Sequence, residues 1–227
     1  MLQPLSHLPA FSLVEPLLQA IVNQNMIIGA PPGAGKSTVL PLSLLNTHIK
    51  GKILLMQPRR VVVRNLAQYM AGVLGEQVGD TVGYRIRGEN KVSASTQLEI
   101  ITEGILSRMI QSDPELSGVA VIIFDEFHER HLSVDIGLGL VHRLRQTARP
   151  DLNVTVMSAT LEESALAAYF GDAVQLHAEG RRYPADVTYL PPPPQQPVWE
   201  SAAAALRDLI GSGAEGDVLC FMPGLFE

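Results

Sequence analysis

The sequence predicts an α/β fold in which a parallel sheet is covered by helices on both faces. Short apolar runs rich in Ile, Val and Leu alternate along the chain with longer segments of helical pattern. Within each run the apolar residues are consecutive, which is typical of strands that are buried on both sides. Strands that alternate with helices form a parallel sheet, because each helix returns the chain to the edge where the previous strand began.

The same patterns give the order of the elements. Strands are predicted at residues 26–28, 53–56, 98–101, 119–124 and 154–157. Helices are predicted at residues 36–46, 60–74, 103–111, 132–147 and 162–169. Further along, four consecutive prolines at residues 191–194 predict an extended linker or surface loop. A helix at residues 198–210 and a short strand at residues 218–221 are predicted beyond it.

The chain length fits one complete domain and part of a second. The chain has 227 residues, whereas an average domain has about 150. Hydrophobic residues make up 46% and charged residues 18%, which provides enough apolar surface for a core and argues against disorder. We therefore expect a first domain at residues 1–178, a linker at residues 179–197 and the start of a second domain at residues 198–227.

The net charge of −6 excludes a protein that is basic throughout, such as a histone-like nucleic-acid binder. Residues 51–110, however, carry eight basic and five acidic side chains, while residues 161–227 carry three basic and ten acidic ones. A polyanionic partner should therefore contact the first of these segments. Taken alone, a solvated surface without a partner explains this distribution equally well.

The sequence also bears on the compartment. The chain has a single cysteine, Cys220, so no disulfide can form within it. No basic residue precedes Lys36, so the charged start of a signal peptide is missing, and no apolar run approaches the ~20 residues that cross a bilayer. We expect a cytoplasmic protein without a membrane partner, and the sequence does not predict its oligomeric state.

A glycine-rich segment, GAPPGAGKST at residues 29–38, follows the first predicted strand and leads into the first predicted helix. This is the context of a phosphate-binding loop, in which backbone N–H groups and the start of the helix bind phosphate oxygens. Lys36 would bind the β- and γ-phosphates, and Ser37 would be a ligand of Mg²⁺. The predicted nucleotide-binding residues are Ala30, Pro31, Pro32, Gly33, Ala34, Gly35, Lys36, Ser37 and Thr38.

The loop departs from the usual pattern at one position. Ala30 stands where the pattern GxxxxGK[ST] has its first glycine. Alanine tolerates this turn nearly as well as glycine when its φ is negative. We therefore expect a working variant of the loop.

Two carboxylates, Asp125 and Glu126, directly follow the strand predicted at residues 119–124. Ligands of open α/β sheets bind at this carboxyl end of the strands. We expect Asp125 to hold Mg²⁺, directly or through water, and Glu126 to activate the water that attacks the γ-phosphate. Without the phosphate loop, an ordinary solvated loop would explain the same pair.

The segment around this pair, DEFHER at residues 125–130, resembles the DExH signature of superfamily 2 helicases and in particular of DEAH-box RNA helicases. Phe127 stands where that family usually has alanine. Further motifs of the family are resembled in order by QPRR at 57–60, TEG at 102–104, SAT at 158–160 and VLCFMPGLFE at 218–227. LPA at 8–10 and EGRRYPADVTY at 179–189 resemble bacterial members. The resemblance covers almost the whole chain, and several motifs in one order are a specific signal.

The resemblance implies a RecA-like phosphate-loop NTPase fold, followed by the start of a second RecA-like domain. It implies an ATP-dependent RNA helicase, an enzyme that uses ATP and Mg²⁺ and couples hydrolysis to translocation on nucleic acid or its unwinding. Arg59, Arg60, Thr102 and Gly104 would contact the backbone of single-stranded RNA, without reading its bases.

The resemblance also implies a coupling role for His128, which would link the nucleotide site to Ser158, Ala159 and Thr160. Asp125, Glu126, Lys36 and His128 are then the predicted catalytic residues. Two further arginines, Arg85 and Arg87, alternate on another predicted strand, where they either belong to the RNA surface or face solvent.

Two other functions are open. An ATPase of another phosphate-loop class would carry an ABC signature or a sensor arginine, and neither is evident. A truncated module that binds nucleotide or RNA without turnover fits a chain that ends within the segment resembling motif IV. In the family, arginines of the second RecA-like domain complete the hydrolytic site, and such an arginine is worth roughly 10³ to 10⁵ in rate. We therefore expect the isolated chain to bind ATP and Mg²⁺ but to hydrolyse ATP slowly.

The substrates are less well defined than the ATPase site. RNA is favoured over DNA only by the resemblance, because the contacts named are to phosphate and sugar. The base of the nucleotide is also open, since no adenine-specific element stands out before Ala30.

Overall fold

An eight-stranded β-sheet is the centre of the structure, a computed structural model that describes residues 3–21, 24–45, 47, 49–159, 163–171, 173–180, 185–191 and 196–222. Its strands are β1 (Met26–Gly29), β2 (Lys52–Met56), β3 (Val82–Ile86), β4 (Glu89–Lys91), β5 (Leu98–Ile101), β6 (Val119–Phe124), β7 (Asn153–Ser158) and β8 (Val174–His177). Their order across the sheet is β4-β3-β5-β2-β6-β7-β1-β8. The sheet lies entirely within the first of two compact units, Met1–Arg181, and the second unit is Arg182–Glu227.

Every neighbouring pair of strands is parallel except β3 and β4. Only Arg87 and Gly88 separate these two strands, and a connection of this length forms a hairpin, whereas a parallel crossover needs a dozen or more residues. The predicted parallel sheet is therefore correct for the strands that position the site, and it fails only at this edge.

Helices cover both faces of the sheet. They are α1 (Val14–Ala20), α2 (Lys36–Leu44), α3 (Arg60–Leu74), α4 (Glu103–Ser112), α5 (Leu132–Thr147), α6 (Glu163–Phe170) and, in the second unit, α7 (Val198–Gly211). Buried residues of α1, α2 and α3 pack with Ile28 and Leu55 on one face of the sheet. Those of α4, α5 and α6 pack with Ile27 and Leu54 on the other. Consecutive strand residues thus enter opposite cores, which explains why the strands read as continuous apolar runs. Among the residues described, no helix combines the length and apolar content required to span a membrane.

The predicted α/β fold is confirmed, and the ends of the predicted strands and helices of the first unit lie within two residues of those observed. Of the α-helices and strands in the described part of the chain, α1, β4 and β8 were not predicted, and β3 was predicted only as a strand without stated ends. Pro16 obscures the pattern of α1, although proline is tolerated in the first turn of a helix. The edge strand β4 is the polar triplet Glu-Asn-Lys, and β8 is half exposed, so neither has a buried apolar run.

The second unit contains α7, which begins at the predicted residue and has no buried residue. The strand predicted at residues 218–221 is wrong, because the chain has no regular structure at residues 217–222. Leu219 and Phe221 are 77% and 86% exposed there. A strand forms only where another strand pairs with it, and the described residues of this unit include no such partner. Residues 223–227 of the segment resembling motif IV lie outside the described residues.

Three charged side chains form an ion-paired triad across neighbouring strands. Glu99 of β5 is fully buried and pairs with Lys52 of β2 and, at 2.6 Å, with Arg85 of β3. Burial alone would raise the pKa of Glu99, but its bonds to Arg85 and Lys52 reverse this and hold the pKa below its ordinary value. Arg85, which was expected either to belong to the RNA surface or to face solvent, pairs with Glu99 and keeps 34% of its side chain exposed, while Arg87 is exposed.

Candidate nucleotide-binding site

The predicted phosphate loop connects β1 to α2. Gly33 and Gly35 have φ values of +75° and +86°, and Gly35 is the residue that caps the N-terminus of α2. These left-handed conformations favour glycine, so both glycines serve the curl of the loop. Ala30 is not among the residues with positive φ, as its tolerance in this position required. The first N–H groups of an α-helix have no acceptor within the helix, so those of Lys36 and Ser37 at the start of α2 are available to an anion.

The N-terminal segment that contains LPA supports this loop. The N–H of Ala10 donates to the carbonyl of Ala34 at 2.9 Å. Leu8 lies so close to Gly35 that a Cβ at that glycine would be 2.7 Å from its Cδ1. Glycine is therefore required at position 35 for two reasons, its positive φ and the close approach of Leu8. The sequence analysis noted LPA only as a family resemblance and did not predict this contact.

Lys36 is 5% exposed and turns back onto the loop, where its ammonium donates to the carbonyls of Ala30 and, at 3.1 Å, of Pro31. Burial lowers the pKa of Lys36, and the nearby carboxylates of Asp125 and Glu126 oppose this effect. The ammonium is therefore held within the loop by neutral carbonyls. Phosphate oxygens, which are charged, are stronger acceptors and would replace them.

Asp125 meets the loop from β6. Its side chain is almost fully buried, the Ser37 hydroxyl donates to its carboxylate, and the N–H of Glu126 donates to its Oδ1 at 2.9 Å. Desolvation raises the pKa of Asp125 to about 6, although the bond from Ser37 lowers it. At pH 7 the carboxylate is ionised, because the pH lies above this value. Below about 6 it takes up a proton that a metal ion would have to displace.

The donors in this corner fit Mg²⁺ bound together with a nucleotide. Ser37 and Asp125 present oxygen atoms, which hard cations prefer, and they are already joined by a hydrogen bond. Among the described residues, no cluster of three or more His, Cys, Asp or Glu side chains could hold a metal ion.

Glu126 and His128 connect the acidic segment to the end of β7. Nδ1 of His128 accepts the N–H of Ala159 at 3.3 Å, so the proton of the neutral ring lies on Nε2. That nitrogen is 3.4 Å from a carboxylate oxygen of Glu126. The predicted link between His128 and the SAT segment thus has a geometric basis, and it runs through the backbone of Ala159.

The remaining SAT residues lie beside the loop. Ser158 is buried, and its carbonyl accepts the N–H of Ala30 at 3.2 Å. This bond places the phosphate loop and the end of β7 in direct contact. Thr160, which was predicted to take part in coupling, lies outside the described residues.

The residues predicted to contact nucleic acid lie at the same edge of the sheet. Arg59 and Arg60 are exposed at the start of α3, which follows β2, while Thr102 and Gly104 lie at the start of α4, which follows β5. Because β2 and β5 are parallel neighbours, the structure brings these two pairs side by side. Gly104 is exposed, and Thr102 is mostly buried.

Arg59 also contacts the acidic segment. Its guanidinium lies 2.6 Å from the carboxylate of Glu129, which a second contact at 3.0 Å joins to His131. The hydrogen bond from His131 and the charge of Arg59 lower the pKa of Glu129. Neither Glu129 nor His131 was predicted to contact this arginine.

Gln57 is a further residue of this edge whose role sequence reasoning missed. It follows β2 directly, is 1% exposed, and donates from its side-chain amide to Oδ2 of Asp125. The signal was present, because a polar residue directly after a buried strand, at the carboxyl edge of a parallel sheet, points toward the ligand site. It was noted only as the first letter of QPRR.

The fold and the loop after β1 are those of a RecA-like phosphate-loop domain. The chain belongs to the DEAD/DEAH box helicase family, whose model matches residues 14–168. The resemblance to DEAH-box helicases inferred from the motifs is therefore confirmed.

Individual relatives agree with this membership. The chain is 45% identical over 225 residues to the ATP-dependent RNA helicase HrpB of Escherichia coli. The matched residues are 98% of this chain and 28% of the relative. It is 37% identical over 210 residues to the probable ATP-dependent RNA helicase DHR2 of Saccharomyces cerevisiae, covering 90% of this chain and 28% of the relative. The chain thus spans just over a quarter of the length of these relatives.

Solved structures match in the same way. A crystal structure of the E. coli DEAH/RHA helicase HrpB matches with a TM-score of 0.91 at 45% identity, covering 96% of this chain and 28% of the other. A second crystal structure, of the E. coli DExH-box NTPase HrpB, matches with a TM-score of 0.81 over 96% of this chain and 27% of the other.

Proposed function

We propose that this chain is the ATP-binding part of an ATP-dependent RNA helicase. The observation that carries the proposal is the meeting of Lys36 and Ser37, at the start of α2, with Asp125 at the end of β6. These residues are far apart in sequence, and their types suit a nucleoside triphosphate bound with Mg²⁺. Family membership and relatives named as ATP-dependent RNA helicases support the same conclusion.

The roles of the residues follow from their positions. N–H groups of residues 33–37 bind phosphate oxygens, and Lys36 exchanges the carbonyls of Ala30 and Pro31 for them. Ser37 and Asp125 hold Mg²⁺, which neutralises charge that develops on the phosphates. Glu126 accepts a proton from the attacking water, since its carboxylate is partly exposed beside the buried Asp125.

Nucleic acid, and single-stranded RNA in particular, is the proposed polymer partner. Arg59 and Arg60 supply exposed positive charge beside the backbone N–H groups at the start of α4. The exposed Arg59 is already paired with Glu129, so a phosphate that binds it must replace this carboxylate. The whole protein's helicase activity and its choice of RNA are parts of the same proposal.

The organisation of the chain is also proposed. Residues 1–178 form the first RecA-like domain, residues 179–197 the linker, and residues 198–227 the start of the second domain. The amphipathic helix α7, which has no buried residue, supports the last assignment, because its apolar face suits the core of a larger domain.

A cytoplasmic location is consistent with the free thiol of Cys220. Slow hydrolysis by the isolated chain stays a prediction.

Replacing Lys36 tests the proposed function. Lys36→Ala should weaken the binding of ATP in the presence of Mg²⁺ by tenfold or more, on the order of one charge-assisted hydrogen bond. Calorimetric titration of ATP into the 227-residue chain measures this affinity. Lys50→Ala, which removes an exposed lysine just before β2, is the matched control and should bind like the unchanged chain. Equal affinities of the Lys36→Ala variant and the unchanged chain would refute the phosphate-loop assignment.

A further inference from the structure

Two hydrogen bonds tie the end of β2 to the end of β6. The N–H of Asp125 donates to the carbonyl of Met56, the last residue of β2, at 3.1 Å. Gln57, which directly follows Met56, donates from its side-chain amide to Oδ2 of Asp125. Gln57 is itself held in place, since its N–H donates to the carbonyl of Ile101 at 2.8 Å. The amide therefore reaches the carboxylate from a fixed backbone.

The two oxygens of Asp125 are bound by different donors. Oδ1 accepts the N–H of Glu126, and Oδ2 accepts the amide of Gln57. A carboxylate held at both oxygens cannot rotate freely about its Cβ–Cγ bond. The two oxygens together have four lone pairs and accept three donors, the Ser37 hydroxyl included, so acceptor capacity remains for a metal ion or a metal-bound water.

The donor at Oδ2 is neutral, and this matters for a cation site. A lysine or arginine in place of Gln57 would orient the carboxylate but would also cancel its charge, on which attraction of a cation depends. The neutral amide of Gln57 fixes the orientation of the Asp125 carboxylate and leaves its negative charge uncancelled. Partners of metal ligands in other proteins act in this way, and their loss costs about 10- to 100-fold in metal affinity.

We infer that Gln57 is a positioning residue of the metal site, which orients the carboxylate of Asp125 for Mg²⁺. The inference rests on the proposed function, because it takes Mg²⁺ and a nucleotide as the ligands. Gln57 does not touch the nucleotide itself. Its effect is therefore confined to the part of nucleotide affinity that depends on the metal ion.

The test compares ADP binding with and without Mg²⁺. Gln57→Met keeps the length of the side chain and removes the donor, while Gln57→Asn keeps an amide that is one methylene too short to reach Oδ2. In both variants the gain in ADP affinity that Mg²⁺ provides should fall by about tenfold or more. Affinity measured in EDTA should stay within about twofold of the unchanged chain, because the phosphate loop is intact. Gln97→Met, at an exposed glutamine before β5, is the control and should leave both affinities unchanged.

Each contrary outcome has a distinct meaning. An unchanged Mg²⁺-dependent gain in both variants overturns the role of Gln57 and leaves the proposed function intact. Equal losses with and without Mg²⁺ also overturn it, since they indicate general damage to the site. If Gln57→Met fails to fold, as judged by thermal unfolding, the Mg²⁺-dependent gain in ADP affinity of the Gln57→Asn variant is the test of the inference. An unchanged chain that binds no ADP in either condition contradicts the proposed function itself.

Discussion

Glu126 is held in an unusual backbone conformation beside the buried carboxylate of Asp125. Its φ of +52° lies in the left-handed region, which few residues other than glycine adopt, and Arg130 in the same segment has a φ of +50°. Such conformations cost on the order of 1–3 kcal/mol and persist where the surroundings enforce them, often at active sites. Here the bond from its N–H to Asp125 and the contact with His128 are the enforcing interactions.

Replacing Glu126 separates binding from chemistry. Glu126→Gln should retain ATP binding, because the phosphate loop and Asp125 are untouched. Its single-turnover rate of hydrolysis should fall at least about a hundredfold, since an amide cannot accept a proton from the attacking water. Single-turnover assays detect the slow hydrolysis expected of the isolated chain. Glu115→Gln, at an exposed carboxylate, controls for the loss of one charge, and turnover of Glu126→Gln at the unchanged rate would remove Glu126 from its proposed role.

At the residue scale, the sequence predicts side chains with fixed chemical roles better than it predicts their neighbours. Lys36, Ser37 and Asp125 could be found because their chemistry demands those residue types at those strand ends. The position of Gln57 at this edge could be inferred, but its bond to Asp125 and the bond from the N–H of Ala159 to His128 could not, because each depends on which strands are adjacent. That adjacency is set by tertiary packing of β2 and β7 on either side of β6.

The triad of Glu99, Lys52 and Arg85 belongs to the scale of elements, because it joins three neighbouring strands. Glu99 is fully buried, whereas the side chains of its partners are 38% and 34% exposed. Removal of the carboxylate therefore leaves cations that water can solvate. Removal of a cation leaves a buried carboxylate with one partner fewer, which costs more.

We predict that Glu99→Gln lowers the free energy of unfolding by about 1–3 kcal/mol at pH 7. The folded-state pKa of Glu99 lies below its ordinary value of 4.5, so its contribution is present above that pH and is lost as the pH falls through the folded-state value. The stability difference between Glu99→Gln and the unchanged chain should therefore shrink with acidification below about 4.5. Urea titrations at several pH values measure it, and a difference independent of pH would contradict the assigned ionisation.

Elements were predictable where burial imposes a pattern. The buried strands β2 and β6 read as uninterrupted apolar runs, and α3 ends at Gly75, whose φ of +73° suits glycine. The hairpin edge β4 has polar residues and few buried neighbours, so its sequence has no such signature. The strand expected at residues 218–221 has the right composition, but composition alone does not supply a partner strand.

At the scale of the whole molecule, one edge of the sheet collects the site residues that were predicted in the first unit and that the structure describes. The segments after β1, β2, β5, β6 and β7 are distant in sequence, and they meet because the carboxyl ends of parallel strands share an edge. This convergence is the physical reason that motifs in one linear order can form one site. We propose that this edge binds ATP with Mg²⁺.

A crystal structure of the chain with Mg²⁺ and a nonhydrolysable ATP analogue would show whether the nucleotide binds at this edge. We predict β- and γ-phosphates within the loop of residues 30–37, the ammonium of Lys36 moved from the carbonyls of Ala30 and Pro31 onto phosphate oxygens, and Mg²⁺ beside Ser37 and Asp125. A nucleotide bound elsewhere, with Lys36 still on those carbonyls, would refute ATP binding at this edge.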